Sequence, residues 1–309
     1  MHVADAVSEA AARTGSMACV GLDPTPDMIP PALAAEALDR HGDTEEAVAA
    51  AYVAFNEAII EAIAGHCVAV KPQVACYEAY GPAGWSALRT TIANARAAGL
   101  VVVADGKRGD IGSTSRWYRR AFFGDAPGLS GSPLTVPRAD WLTVNGYLGS
   151  DNITPFLDGP AGSLGLFVLV KTSNPASGEL QDTASDTGTV ASTMADLVRE
   201  WGADRRGGSG LSDIGAVVGA TYPSEAVELR RRMPDTLFLV PGFGAQGGDA
   251  ADALAGARPD GTGVLISSSR GITAAWRDAG DGADWATPAS AALDDMNRRL
   301  GDALVSVTG

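Results

Sequence analysis

The sequence predicts an α/β protein built as a single (β/α)8 barrel, with long loops at the C-terminal face of its strands. Three observations carry this. Eight short apolar runs recur along the 309 residues. The runs are continuous rather than alternating, as parallel strands covered on both faces should be. Helical patterns rich in Ala, Leu and Glu lie between most of them. A strand–helix unit repeated eight times is what such a barrel requires. A doubly wound sheet with an additional domain is the runner-up. No linker divides the chain, so residues 1–309 are expected to form one domain.

In order, the expected strands are Met17–Leu22, Cys67–Lys71, Leu100–Asp105, Trp141–Asn145, Leu166–Lys171, Ile214–Ala220, Thr236–Pro241 and Gly263–Ser268. The helical patterns include Glu45–Ile63, Ser86–Ala98, Val190–Trp201 and Pro223–Arg232. Two segments interrupt the rhythm, Gly124–Arg138 and Ser173–Gly188, both rich in Gly, Pro, Ser and Asp. Long loops without secondary structure are often lids or binding loops. The second begins where a strand ends, which favours function for it.

The bulk numbers narrow the function. With 23 Lys and Arg against 37 Asp and Glu, the net charge is −14. Such a chain lacks the basic face that a nucleic-acid binder needs. A phosphorylated substrate would require a local cationic site. Cys19, Cys67 and Cys76 fall in or near apolar stretches without metal-ligand spacing. We read them as reduced core residues of a cytoplasmic protein. The opening "MHVADAVSEAAARTG" has no basic start and no long apolar run, so no signal peptide is expected. No stretch approaches the roughly 18 apolar residues of a membrane span.

In a parallel barrel the polar residues at the carboxyl ends of strands are the catalytic candidates. These ends hold Asp23, Lys71, Asp105, Lys107 and Asp110, then Asn145, Lys171, Thr172 and Ser173, and finally Gln246 and Arg270. Any one of them could be a cap or a structural ion pair, and Asp110 could simply cap the helix that starts near Ser113. Side chains two apart in extended chain share a face, so Asp105 and Lys107 should meet and Arg108 should point elsewhere. Lys71 belongs to the neighbouring strand. Lys71, Asp105, Lys107 and Asp110 could then form one network of alternating charge. A carboxylate beside each lysine keeps the ammonium charged. That suits a proton donor or electrostatic clamp better than a Schiff-base nucleophile. "PGFGAQGGD" (Pro241–Asp249) and "SSSRGI" (Ser267–Ile272) follow the seventh and eighth strands. Barrels often hold phosphate there, on backbone N–H groups and a guanidinium. The three histidines, His2, His41 and His66, are at no strand's carboxyl end and are read as incidental.

"DGKRGDIGST" (Asp105–Thr114) resembles the D-x-K-x-x-D-I-x-x-T signature of the orotidine 5′-phosphate decarboxylases. "VGLDP", "VKPQ", "TVNGYLG", "KTSNP", "VPGFGAQGGD" and "SSSRGI" are similar to further landmarks of that family, in its order, and to its longer bacterial subgroup. The resemblance implies a cofactor-independent decarboxylation of orotidine 5′-monophosphate, with no metal, in the last step of de novo pyrimidine nucleotide synthesis. It implies that Lys107 protonates C6 of the pyrimidine and that Asp105 faces the scissile carboxylate. Lys71 and Asp110 would complete the charge network. Asp23 would bind the ribose and Ser173 the pyrimidine, while Gln246 and Arg270 would hold the phosphate. Asp110 and Thr114 would reach into a neighbour's site, which implies a homodimer with shared active sites. Related barrels that act on sugar phosphates, the keto-gulonate phosphate decarboxylases and hexulose phosphate synthases, share D-x-K-x-x-D but use magnesium, and are the alternative. A non-catalytic nucleotide-binding barrel would be expected to lose the acid–base array.

Overall fold

The computed structural model describes residues 1–186, 188–244, 249–280 and 284–308. Eight parallel strands close into a barrel. They are β1 (Ala18–Leu22), β2 (Ala69–Pro72), β3 (Val101–Arg108), β4 (Trp141–Val144), β5 (Gly165–Lys171), β6 (Ile214–Val218), β7 (Phe238–Pro241) and β8 (Val264–Ser268). Each pairs with its neighbours in chain order, and β1 closes on β8 through Ala18 opposite Ile266. The closed ring excludes the doubly wound sheet. Every expected strand is present, and the helices Glu45–Ile63 and Pro223–Arg232 have the expected bounds.

Burial on both faces explains why the strand runs are apolar without alternation. One parity faces outward onto the helices, as Val20, Val70, Val102, Leu142, Val168 and Ile266 do. The other parity fills the barrel: Cys19, Ala69, Val101, Val103, Trp141, Phe167, Leu239 and Leu265 pack in a second cluster. Trp141 and Phe167 stack there, ring centroids 4.5 Å apart. Gly165 lies beside this pair because a Cβ would stand 2.3 Å from the Trp141 ring. The N-terminal helix Val3–Thr14 buries Val3, Ala4, Val7 and Ala10 against the same cluster, and His2 caps it through Nδ1.

Inward parity sets the site. Going up β2, Ala69 faces the interior and Lys71 follows it. Going up β3, Val101 and Val103 are followed by Asp105, and on β4 Trp141 is followed by Thr143. The top layer of the barrel interior is therefore polar and ionic rather than aliphatic.

The two interrupting segments differ from the expectation of structureless loops at one face. Ser173–Gly188 stands at the C-terminal end of β5 and has structure of its own. It contains a turn at Pro175–Ser177, a short helix Gly178–Gln181, and a ladder of Ala184–Ser185 with Gly188–Thr189. Lys171 anchors it: the ammonium, buried with its residue fully inaccessible, bonds Asp182, meets Glu225 at 3.0 Å and lies 4.6 Å from the Tyr222 ring centroid. Gly124–Arg138 instead follows the helix Gly112–Phe123 and enters β4 at its N-terminal end. It therefore lies on the face of the barrel opposite the polar layer.

Candidate active site

Asp105 is the centre of the polar layer. Only 6% of it is exposed, yet four donors surround its carboxylate. Lys71 Nζ donates to Oδ2 at 2.8 Å and Gln73 Nε2 to the same oxygen at 3.1 Å. Lys107 Nζ donates to Oδ1 at 2.6 Å and the Thr143 hydroxyl to the same oxygen at 2.8 Å. Burial alone would push the Asp105 carboxyl up, but Lys71 and Lys107 outweigh it and hold it far below the usual carboxylate range. Burial likewise opposes the charge on Lys71, and Asp105 and Asp23 reverse that, raising the ammonium above its ordinary value.

The signs fix a pH dependence. A depressed carboxyl stabilises the fold above its unfolded pKa of about 4, and that contribution is lost as pH falls through the folded value. A raised lysine contributes fully below about 10.4, and its share fades only as pH rises through the higher folded value. The stability that Lys71 and Asp105 contribute is thus expected to be flat from about pH 5 to 9 and to decline below about pH 4. Denaturant titrations of wild type and Lys71→Met across this range check it. A step near neutrality that vanishes in the variant would contradict the pair.

Lys107 is half-exposed and meets the carboxylate oxygen of Asp105 that Lys71 does not. Arg108 points away, as expected, to Glu78 and the carbonyl of Gly106, over the rings of Tyr118 and Phe122. Asp23 completes the array on the far side: its Oδ1 lies 3.9 Å from Lys71 Nζ. That buried oxygen makes no hydrogen bond among the described residues.

A cavity of about 480 Å³ opens over Lys71 and Asp23 and runs to Phe243, Ser267–Ser269, Arg270 and Arg277. Nucleotide-sized ligands fit cavities of this order. Arg270 begins a short helix directly after β8, in the place expected for a phosphate ligand. Arg277 is tied to Asp27 at 3.2 Å across the cavity mouth. Cys76 also lines the cavity and is not the core residue expected. It lies on the helix Val74–Glu78, one residue before the buried Tyr77, and so turns toward the site. Burial, with Asp23 adding to it, pushes its thiol up to about 11, so it is protonated at neutral pH.

Other candidates separate. Ser173 packs its backbone against Gly219 at the end of β6, across the rim. Lys171 and Asn145 serve the fold: Lys171 anchors its loop, and Asn145 Oδ1 caps the turn Gly146–Leu148 through the Tyr147 N–H. Asp110 does not join the network of its own chain. Its Oδ1 accepts from the N–H of Ile111 and its N–H bonds Asn152, beyond the point where β3 ends. It does not cap the following helix, Gly112–Phe123, which has no side-chain cap. Thr114, on that helix, is exposed. Gln246 lies outside the described residues.

Sequence reasoning missed Gln73 and Thr143. Gln73 lies just past β2 in "VKPQ", where only the lysine was weighed. Thr143 is inside β4 rather than at its end. Its signal was parity: two residues beyond Trp141, it must face the interior.

A closed parallel barrel with a Lys–Asp–Lys array at the strands' C-terminal ends, its Lys71 lining a cavity there, is the layout of a barrel enzyme. The family model described as orotidine 5′-phosphate decarboxylase / HUMPS family matches residues 16–281. The orotidine 5′-phosphate decarboxylase of Rhodopirellula baltica is 44% identical over 97% of this chain and 99% of its own length. That of Haloarcula marismortui is 39% identical over 90% of this chain and 89% of its own. The solved structure of Leishmania donovani OMP decarboxylase superposes with a TM-score of 0.72 at 31% identity, covering 99% of both chains. The chain belongs to the orotidine 5′-phosphate decarboxylase / HUMPS family.

Proposed function

We propose that this protein decarboxylates orotidine 5′-monophosphate to uridine 5′-monophosphate and carbon dioxide, the closing step of de novo pyrimidine nucleotide synthesis. The observation that carries the reading is the Lys71–Asp105–Lys107 array, whose Lys71 lines the same cavity as Asp23 and Arg270. The 44% identical relative that bears the decarboxylase name supports it.

The chemistry follows from charge. Heterolysis of the C6–carboxylate bond releases carbon dioxide and leaves the electron pair on C6, with little delocalisation. The Lys107 ammonium stabilises that carbanion and then transfers a proton from Nζ to C6, and the neutral amine regains its proton from water. Asp105 holds the ammonium and meets the departing carboxylate. Asp23, whose Oδ1 faces Lys71 without a hydrogen bond, binds ribose hydroxyls. Ser173 reads the pyrimidine, and Arg270 with Gln246 holds the phosphate. Contacts remote from C6 help to organise the site.

The magnesium-dependent sugar-phosphate reading is disfavoured by Lys71. Its ammonium lies between the carboxylates of Asp23 and Asp105, where a divalent cation would need to bind. Loss of orotidine monophosphate ultraviolet absorbance in purified protein, with and without a chelator, tests the assignment. Turnover in both supports it, and turnover only with added magnesium rejects it.

A homodimer with shared sites is part of the proposal. Asp110 and Thr114 would act in the neighbour's site. Exposed Ile111 and Trp117 on one side and Tyr147 and Leu148 on the other support a contact there. One barrel domain in the cytoplasm is proposed as well. No described helix is long and apolar enough to cross a membrane.

Arg270→Ala is expected to lower kcat/KM for the nucleotide about 10- to 100-fold, the span of a lost hydrogen bond to a charged group. The nucleoside should be turned over equally by both proteins. Equal losses for nucleotide and nucleoside would show that Arg270 does not meet the phosphate.

A further inference from the structure

Thr143 is buried, with 1% of its surface exposed, and carries two hydrogen bonds that meet at one oxygen. Its hydroxyl accepts from the backbone N–H of Lys107 at 2.9 Å. The same hydroxyl donates to Asp105 Oδ1 at 2.8 Å, and that oxygen also receives Lys107 Nζ. One side chain therefore holds both the backbone of the lysine and the carboxylate on which its ammonium rests.

The backbone at this point needs holding. Lys107 has φ +46°, and it is the one non-glycine residue with positive φ among those described. A side chain other than glycine, Asn or Asp is strained there, and such strain persists only where surrounding contacts fix it. The pairing of β3 with β4 explains the gap that Thr143 fills. Ala104 faces Leu142 and Arg108 faces Val144, so the register shifts between Ala104 and Arg108. An irregularity of this kind leaves a residue out of the ladder. At Lys107 a side-chain hydroxyl takes the N–H that a strand carbonyl would take elsewhere.

We infer that Thr143 is a positioning residue for the proton donor: its hydroxyl fixes the bent backbone of Lys107 and the Asp105 oxygen together, and so sets where the ammonium stands relative to C6. The inference rests on the proposed role of Lys107. Thr143 acts through Lys107 and needs no contact with substrate.

Two nearly isosteric variants separate positioning from packing. Thr143→Val keeps the volume and the β-branched shape but removes the hydroxyl. Thr143→Ser keeps the hydroxyl and removes the methyl. A packing role in the barrel interior predicts an impaired serine variant and a sound valine variant, and a positioning role predicts the reverse. Single-turnover decarboxylation rates and the dissociation constant of uridine monophosphate would be measured for both, with Lys107→Ala alongside. We expect valine to slow the chemical step about 100-fold, the scale of a misplacement of about 1 Å. Product affinity should be unchanged, and serine should recover most of the lost rate. Should valine fail to fold, Thr143→Ala removes the same oxygen without adding bulk and is read the same way.

A valine or alanine variant with near-native rate overturns the inference. So does a serine variant as slow as valine, or a loss of product affinity that matches the loss of rate. If Lys107→Ala is inactive while Thr143→Val is fully active, this inference fails alone. If Lys107→Ala turns over at the native rate, the role of the lysine fails and this inference with it.

Discussion

Lys107→Ala is expected to lower kcat by roughly 10⁴-fold or more, because one group performs both electrostatic stabilisation and proton transfer. The fold should survive, since Lys107 is half-exposed and Asp105 keeps Lys71, Gln73 and Thr143 as donors. Substrate analogues should still bind through Asp23 and Arg270. Steady-state kinetics together with analogue titration check this. A purified, folded variant with near-native kcat would refute the proton-donor role.

The second large effect concerns assembly. Asp110→Ala is expected to be nearly inactive although Asp110 touches neither lysine of its own chain. The motive is its placement past the end of β3, where among the described residues its carboxylate accepts only from the Ile111 N–H, while its backbone bonds Asn152 and Ser115. If Asp110 completes a neighbour's site, mixing it with Lys107→Ala should restore activity. Each mixed dimer then has one site with both defects and one site that is whole. Random exchange makes half of the dimers mixed, so recovery should approach about one quarter of wild type. No recovery after demonstrated subunit exchange would sink the shared site.

The barrel was readable because strands buried on both faces must be apolar throughout, and eight such runs leave few other architectures. Lys71, Asp105 and Lys107 were readable for a related reason. An ionic residue that continues the inward parity of a buried strand needs a partner, and these three are one another's partners. Direction was harder to read than position. Lys171 sits at a strand end like Lys71, yet β5 shifts register against β6 between Leu169 and Lys171, and the ammonium turns to Asp182 and Glu225. Asp105 and Lys107 do meet as two-residue spacing suggests, but through a bend at positive φ that periodicity does not encode. Thr143 went unread because a threonine inside a strand is an ordinary β-former, and only the missing ladder bond beside it gives it a task.

The central claim is that a fixed lysine ammonium protonates C6 as carbon dioxide leaves. The most direct measurement follows the atoms: carboxyl-labelled orotidine monophosphate is turned over in heavy water by protein dialysed against a chelator. The expected result is one labelled carbon dioxide for each uridine monophosphate formed, with one deuterium at C6, and neither product from Lys107→Ala. Release of carbon dioxide only after magnesium is restored, or undiminished C6 deuteration by Lys107→Ala, would contradict it.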